Sequence, residues 1–216
     1  MKDWKFSPGG RIIAGITEDI KSKQRRKITP FNCFVLPQPE DNLESIMDIA
    51  FKAAKIYSYG GGVGIDLSKI RPKGSKVMNA AVVSDGCQPF MSLYSEVTNS
   101  IAINGRRGAL LESISDRNPD ILNFINAKKN LNKINHANIS IKLSDAFMKA
   151  VEDNGNWETV FKVKDTGEEI KETHKARDIY DNIIKNNWES AEPGILFWDR
   201  ITNYTPNSHF DESQII

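Results

Sequence analysis

The stretch SYGGGVGIDLSKIRPKGS, residues 58–75, decides how this chain is interpreted. Four of its first seven residues are glycines, and the apolar segment that follows at 63–67 predicts a strand. Glycine permits positive φ and presents no Cβ atom, so a ligand could approach the backbone and free N–H groups could bind its oxygen atoms. A helix that ends before a tight strand entry would show the same glycines, so the pattern leaves both interpretations open.

A basic turn comes directly after this strand. Arg71 is followed by Pro72, Lys73 and Gly74. Two cationic side chains in an exposed turn could hold a phosphate group, because guanidinium and ammonium groups form charge-assisted hydrogen bonds with phosphate oxygens. The turn favours an anion-binding interpretation of the whole stretch.

Composition places the chain among ordinary globular proteins. It has 216 residues, 39% of them hydrophobic, and could hold one large domain or two small ones. Its 29 basic and 28 acidic residues give a net charge of +1, so the overall charge indicates neither a nucleic-acid nor a membrane partner. No apolar run approaches the roughly 18 residues of a membrane span, and no signal-peptide pattern follows the first residues, so we expect a cytoplasmic location.

Cysteine and histidine usage argues against a metal site. Cys33 and Cys87 are far apart, without the spacing of a zinc site or a disulfide scaffold, and the three histidines are dispersed. Before any family argument, Cys33 within an apolar strand predicts a buried structural thiol, and Cys87 ahead of a helix predicts another.

Strands and helices alternate along the chain. Residues 1–30 predict an irregular lead-in, and the patterns beyond it predict an α/β fold with a parallel sheet or barrel, which binds ligands at the carboxyl ends of its strands. Asp41 is predicted as the N-cap of the first long helix, with Glu44 three residues on. The predicted strands are 31–36, 63–67, 109–114, 137–143 and 194–198, and the predicted helices begin at 41, 89, 119, 144 and 176, with a hairpin at 157–171.

Known phosphate-binding motifs do not fit the glycines. A Rossmann fingerprint follows a strand and opens a helix, whereas these glycines lie between a predicted helix and a strand, and no GxxxxGK[ST] sequence occurs. The pair Arg106 and Arg107, flanked by glycines, predicts either an anion-contacting loop or a solvated basic turn. Asp41 is either only a helix cap or a carboxylate that faces the basic turn, as in a site for a ribose and its phosphate.

Several motifs, taken in order, resemble the catalytic chain of ribonucleotide reductase, most closely its adenosylcobalamin-dependent class. The resemblance extends from about Ser7 to Arg200, and the blocks at 58–75 and 104–110 are the most specific in combination. It implies a partial ten-stranded α/β barrel, with a lead-in at 1–30 and the N-terminal half of the barrel at 31–216. The motifs are PGGRIIAG, NCFVLP, EDNLESI, SYGGGVGIDLSKIRPKGS, NGRRGALLESIS, NPDILNFI, ANISIKLSDAFMKAV and EPGILFWDR.

The resemblance assigns Cys33 to redox chemistry. It implies that the Cys33 thiol helps to reduce the 2′ carbon of the ribose and ends as half of a disulfide. Asn32 and Cys33, together with Gly61 and Gly62, are implied to line the substrate nucleotide.

The resemblance also implies a specificity site for a deoxynucleotide effector. Asp41, Asn42 and Leu43 match positions that hold this effector, and Arg71 matches the arginine on its phosphates.

A loop is implied to carry information from the effector to the substrate. Ile103, just before this loop, stands where many relatives carry glutamine, which puts communication through a side-chain amide in doubt. The loop residues are Asn104, Gly105, Arg106, Arg107 and Gly108.

The implied chemistry needs more than this sequence supplies. A thiyl radical and a reducing cysteine pair require three thiols, whereas the chain has two cysteines and no Asn-Pro-Cys-Gly-Glu radical loop. We therefore expect a chain that is inactive alone and catalytic with a complementing C-terminal reductase half. The implied cofactor is adenosylcobalamin, held mostly by residues outside this chain.

The expected ligands are a ribonucleotide substrate and a deoxynucleotide effector, and a homodimer is left open. The alternatives are a nucleotide-binding regulatory module without chemistry and an inert truncated product. The sequence leaves the reductase class and the choice between diphosphate and triphosphate substrates open.

Overall fold

The structure is a computed structural model that describes residues 5–16, 28–103, 106–129 and 134–205. Beyond the lead-in, every predicted helix and strand is present close to its predicted range, and three short elements, at 102–103, 106–107 and 198–204, were not predicted. In chain order the elements are α1 (Gly10–Ile16), β1 (Cys33–Val35), α2 (Leu43–Ser58), β2 (Gly62–Asp66), α3 (Gln88–Ser100), β3 (Ala102–Ile103), β4 (Arg106–Arg107), β5 (Ala109–Ser115), α4 (Ile121–Ile125), β6 (Asn138–Leu143), α5 (Asp145–Glu152), β7 (Asn156–Lys162), β8 (Glu169–Lys175), α6 (Ala176–Ser190), β9 (Gly194–Phe197) and α7 (Trp198–Tyr204).

Five strands form one parallel sheet in the order β1-β2-β5-β6-β9. Cys33 pairs with Gly62, Gly62 with Ala109, and Ser140 with Gly194, so each new strand is added at the same edge. Right-handed crossovers then place the connecting helices on one face of the sheet. This order confirms the predicted α/β fold with a parallel sheet and agrees with part of a barrel.

The helix-covered face of the sheet forms the core. Alternate residues of each strand point to this face, where packing against the helices buries them. Burial of each large apolar side chain contributes roughly 1.5–3 kcal/mol to folding. Large side chains that are fully buried in this core include Tyr57, Ile65, Met91, Tyr94, Ile114 and Ile139.

The opposite face of the sheet carries Cys33, Val35, Gly64 and Ala109, and we term these four residues the open face. Cys33 and Ala109 are exposed, and Val35 has a relative accessibility of 59%. The open face is therefore accessible to another polypeptide or to a ligand.

Helix α2 begins one residue later than a cap at Asp41 requires. Its N-cap is Asn42, whose Oδ1 accepts a hydrogen bond from the Ser45 N–H over 2.8 Å. Asp and Asn are comparable N-caps, so local sequence could not distinguish them. The prediction of Asp41 as the cap is wrong because its carboxylate instead contacts Arg71.

Helix α2 ends within the glycine cluster. Gly60 has φ +81°, and Gly60 and Gly61 donate their N–H groups to carbonyls in the last turn of α2 over 2.8 and 3.1 Å. Gly62 donates to the carbonyl of Asn32 over 2.8 Å. The expectation that these N–H groups are free to bind a ligand is wrong, because the helix end and the sheet use them.

The lead-in, the β3–β4 pair and the β7–β8 hairpin lie outside the main sheet. The lead-in contains α1, so the expectation of irregular structure there is wrong for residues 10–16. The predicted hairpin at 157–171 is present as β7 and β8, whose pairing extends to Lys175. Within the described ranges, no helix has the length and apolarity needed to cross a bilayer.

Candidate functional site

The four residues predicted to hold an effector line one cavity of about 400 Å³. Asp41, Asn42 and Leu43 follow the carboxyl end of β1, and Arg71 follows the carboxyl end of β2. The sheet brings them together because β1 and β2 are neighbouring parallel strands. The remaining wall comes from α2, the segment between β2 and α3, the first turn of α3, and the β7–β8 turn, through Ile46, Val77, Met78, Asn79, Ala81, Val83, Ser84, Asp85, Gly86, Pro89, Phe90 and Asp165.

Arg71 is held by protein groups on the wall of this cavity. Its Nε donates to Asp41 Oδ2 over 2.8 Å, its Nη1 to the Lys76 carbonyl over 2.8 Å, and its Nη2 to Asp165 Oδ2 over 3.0 Å. Burial opposes the charge, but the hydrogen bonds to Asp41 and Asp165 outweigh it and raise the pKa of Arg71. The expectation of an exposed arginine is therefore wrong: Arg71 is a buried cation.

The two cations of the predicted basic turn do not meet in the cavity. Lys73 is exposed and lines a separate depression, while its backbone N–H donates to Asp120 Oδ1 over 3.0 Å. The cavity lining includes the carboxylates of Asp41, Asp85 and Asp165 against the guanidinium of Arg71. An anionic ligand must therefore bind with a counter-cation or displace one of these carboxylates.

The residues predicted to line the substrate lie at the opposite, amino-terminal ends of the strands. Asn32 and Cys33 precede or begin β1, and Gly61 and Gly62 precede or begin β2. The register brings Cys33 opposite Gly62. The position expected for ligands, at the carboxyl ends of the strands, therefore agrees with the location of the effector residues only, whereas the residues of this second group lie at the other edge of the sheet.

Packing leaves little room for side chains at the two glycines of this group. A Cβ on Gly61 would lie 2.6 Å from Ile56 Cγ2 and 2.8 Å from Phe34 Cε2, and one on Gly62 would lie 3.2 Å from Ala109 Cβ. Contacts below 3.0 Å force neighbouring atoms to move, so packing explains Gly61 without a bound ligand, whereas the contact at Gly62 is tight but not prohibitive.

The two thiols have different environments. Both cysteines are free, with Cys33 exposed on β1 and Cys87 buried at the start of α3. Burial, followed by the charges of Asp120 and Glu112, raises the pKa of Cys87 well above its usual value, so this group stays a thiol. The interpretation of Cys33 as a buried structural thiol is wrong, whereas that of Cys87 agrees with its position.

The predicted communication loop adjoins the Cys33 group. Asn104 and Gly105 lie outside the described residues, and Arg106 and Arg107 form β4, which pairs antiparallel with β3. A Cβ on Gly108 would lie 2.6 Å from the Tyr57 ring. The next residue, Ala109, pairs with Gly62, so the loop reaches the sheet beside the glycines.

Sequence reasoning missed two acidic residues. Asp165, which contacts Arg71 from 94 residues away, gave no local signal beyond its place in a hairpin turn. Glu112 gave one: it stands between Leu110 and Ile114, and strand alternation puts all three on the buried face. Burial raises the pKa of Glu112 well above its usual value, and neither carboxylate oxygen has a hydrogen-bond partner among the described residues.

Comparison with known proteins finds a matching family and several relatives of this chain. Residues 31–215 match the family model described as the ribonucleotide reductase barrel domain. A vitamin B12-dependent ribonucleoside-diphosphate reductase of Thermoplasma acidophilum is 36% identical over 176 residues, which are 81% of this chain and 22% of that relative. The protein of the same name in Mycobacterium tuberculosis is 35% identical over 176 residues, 81% of this chain and 25% of the relative.

A viral relative extends the comparison to another branch. The ribonucleoside-diphosphate reductase large subunit of vaccinia virus is 28% identical over 193 residues, 78% of this chain and 25% of that subunit. The chain thus spans about a quarter of the length of these relatives. Because the family model matches nearly all of the sequence, and the strand order agrees with part of a barrel, the chain belongs to the ribonucleotide reductase barrel domain family.

Proposed function

We propose that this chain forms one part of the catalytic barrel of a ribonucleotide reductase, which converts ribonucleotides to deoxyribonucleotides. One observation carries the proposal: Asp41, Asn42, Leu43 and Arg71 meet in one cavity, while Cys33 stays exposed at the other end of the same strands. The separation suits an enzyme in which an effector and a substrate bind at different places on one sheet.

Cys33 supplies one reducing thiol in this proposal. In the overall reaction, the C2′–O bond of the ribose breaks, the oxygen leaves as water, and two thiols give two electrons and two hydrogens to become a disulfide. Cys33 is the accessible thiol on the open face, whereas Cys87 is buried and cannot reach a ribose. The second reducing thiol and the thiol that carries the radical come from the remaining part of the barrel.

That remaining part is the complementing C-terminal reductase half, on the same polypeptide or on another one. It covers the open face and pairs with an edge of the five-stranded sheet, because unpaired strand edges and accessible apolar side chains such as Val35 favour association. The chain by itself is then inactive in ribonucleotide reduction.

The cavity at Asp41 and Arg71 is the specificity site in this proposal, and its ligand is a deoxynucleotide. Helix α3 runs from the cavity at the carboxyl ends of the strands to the loop at their amino-terminal ends. Its first turn, with Pro89 and Phe90, lines the cavity, and its last residue, Ser100, leads into β3 and the loop. A helix of 13 residues spans about 20 Å, so displacement of its first turn would move the loop beside Cys33.

The relatives named vitamin B12-dependent suggest adenosylcobalamin as the cofactor, which would supply the initial radical. The open face has accessible surface for a large group, but the geometry of the described residues singles out no side chain as a contact of the cofactor. We therefore assign no residue of this chain to the cofactor.

We also propose a cytoplasmic location for the chain. Thiols stay reduced in the cytoplasm, and Cys33 must be reduced to supply electrons.

A homodimer is part of the proposal, through the groove between α2 and α3. Met47 and Phe51 of α2 are 54% and 67% exposed beside Leu93 and Val97 of α3. The apolar strip follows helical spacing, as expected for a helix face that packs against a second copy of the chain.

The second candidate is a nucleotide-binding regulatory module without chemistry. Two observations favour it. Residues of this chain line the Arg71 cavity without a partner, so nucleotide binding needs no second polypeptide. Reduction needs two thiols, and Cys33 is the single accessible one. The two candidates differ in what Cys33 does.

The experiment is reconstitution with the C-terminal half of a related reductase, measuring deoxynucleotide formation from ribonucleotides. Cys33→Ser should abolish turnover while leaving deoxynucleotide binding unchanged, and Cys87→Ala should retain turnover. Turnover that is insensitive to Cys33→Ser, or reduction by the chain alone, would contradict the proposed function. A complex that never turns over but binds deoxynucleotide would favour the regulatory module.

A further inference from the structure

The turn of the β7–β8 hairpin, residues 163–168, reaches the mouth of the Arg71 cavity. Val163 is fully buried, and the turn is closed by its own backbone hydrogen bonds, from Val163 N–H to the Glu168 carbonyl over 2.8 Å and from Gly167 N–H to the Val163 carbonyl over 2.9 Å. The hairpin lies outside the main sheet and is anchored along β7, where the Trp157 indole N–H donates to the Asp116 carbonyl over 2.8 Å and the Val160 N–H to the Arg117 carbonyl over 2.7 Å. Its turn is held at the cavity by further contacts.

Those contacts are charged and exposed. Lys164 Nζ lies 2.8 Å from Glu40 Oε2, and the Lys76 N–H donates to Glu168 Oε2 over 3.2 Å. The Lys164 side chain is 81% exposed. Ion pairs of this kind are weak and are screened by salt, so these outer contacts can break at little cost while Val163 stays buried.

The N–H groups of the Arg71 guanidinium donate to two kinds of partner, buried ones in the cavity wall, which we term inner, and a more exposed one, which we term outer. The inner partners are Asp41, whose side chain is 12% exposed, and the Lys76 carbonyl, and they form part of the cavity wall. The outer partner is Asp165, whose side chain is 44% exposed and also lines the cavity. An incoming phosphate would meet Arg71 at Nη2, where Asp165 now accepts a hydrogen bond.

We propose that Asp165 is a tethered competitor of the ligand's phosphate at Arg71 and thereby sets the affinity and charge preference of the cavity. The inference rests on the proposed function of the cavity as a deoxynucleotide site. A carboxylate and a phosphate compete for the same N–H group because both are anionic acceptors that suit a guanidinium. Binding of the phosphate breaks the Asp165 contact and so removes one of the contacts that hold the turn, while those of Lys164 and Glu168 remain.

The test measures binding of thymidine triphosphate with Mg²⁺, and of uncharged thymidine, to the full chain by equilibrium dialysis. Asp165→Asn removes the competing charge, so we expect it to bind the triphosphate about fivefold more tightly, the size of effect typical of a weak exposed ion pair. Thymidine should bind equally to the wild type and to Asp165→Asn. Asp165→Glu should restore wild-type affinity because it retains the carboxylate.

Glu169→Gln is the matched control. It removes the same charge from the same hairpin, but Glu169 pairs with Lys171 rather than with Arg71. Thermal unfolding of each variant checks that the fold is retained. Tighter triphosphate binding by Asp165→Asn alone supports the inference. Equal affinities in the wild type, Asp165→Asn and Glu169→Gln overturn it and leave the proposed function standing, whereas failure of every variant to bind the triphosphate overturns both.

Discussion

Arg71 and Asp41 are joined by three hydrogen bonds: from the side-chain Nε to Oδ2 over 2.8 Å, from the backbone N–H to Oδ1 over 3.1 Å, and from Nη2 to the Asp41 carbonyl over 3.4 Å. Their side chains are 10% and 12% exposed. The pair fixes the segment after β1 against the segment after β2 and so forms one wall of the cavity. Its geometry ties the stability of this end of the sheet to the candidate effector site.

We expect Asp41→Asn to destabilise the chain by about 2 kcal/mol, because the buried Arg71 then loses a charged hydrogen-bond partner and keeps only the part-exposed carboxylate of Asp165 as its counter-charge. Urea unfolding measures the change. Asp48→Asn is the control: Asp48 pairs with Lys52 on the exposed surface of α2, and its loss should cost at most about 0.5 kcal/mol. Equal costs for the two substitutions would show that the Arg71 pair adds nothing to stability.

Glu112 should make the stability of the chain fall as pH rises. Its pKa is raised in the folded state, so above the ordinary value of 4.5 the folded chain keeps a proton that the unfolded chain releases. The free energy of unfolding therefore decreases with pH, from about pH 4.5 up to the folded pKa, by at most about 1.4 kcal/mol per pH unit from this group.

Glu112→Gln should flatten this part of the pH profile, since the amide does not titrate. Glu96→Gln, at an exposed position of α3, should leave the slope unchanged. Denaturant unfolding at half-unit pH intervals measures both slopes. A wild-type slope that survives in Glu112→Gln would assign the dependence to other groups, such as Asp116, whose pKa burial also raises.

Gly61→Ala should destabilise the chain by about 1–3 kcal/mol, because the added Cβ collides with Ile56 and Phe34. Gly64→Ala on the neighbouring strand β2 is the control, since a Cβ at Gly64 would have no described atom within 4 Å and the backbone there needs no positive φ. We expect its effect to stay within about 0.5 kcal/mol. Thermal unfolding distinguishes the two, and similar losses would argue against packing as the reason for Gly61.

Cys33 should react with a maleimide in the native chain, whereas Cys87 should react only after unfolding. The difference follows from the exposure of Cys33, and from the burial of Cys87 and its raised pKa. Mass spectrometry should find one label under native conditions and two in denaturant. Native labelling should disappear in Cys33→Ser; rapid native labelling of Cys87 would contradict the buried position.

The alternation of strands and helices was predictable because each element shows its own hydrophobic period over enough residues. Helix α2, with Ile46, Ile49, Ala50 and Ala53 on its buried face, is an example. The start of that helix was not predictable, because Asp41 and Asn42 are both competent caps, and only the distant Arg71 decides which side chain is left to cap.

The candidate site was predictable in part. The resemblance pointed to Asp41, Asn42, Leu43 and Arg71, and the structure brings these into one cavity. The partner Asp165 was not predictable, since 94 residues separate it from Arg71 and no local pattern links a hairpin turn to a buried guanidinium.

The α/β class, the order of the elements and the family were all predictable before any coordinates, because they depend on local periodicity and on motifs that are contiguous in the chain. Only the tertiary structure decided that Arg71 is buried between Asp41 and Asp165, that the glycine N–H groups serve the end of α2, and that Cys33 is accessible. The physical reason is that burial and ion pairing depend on which distant segments the sheet and hairpin bring together, and local sequence does not encode those distances.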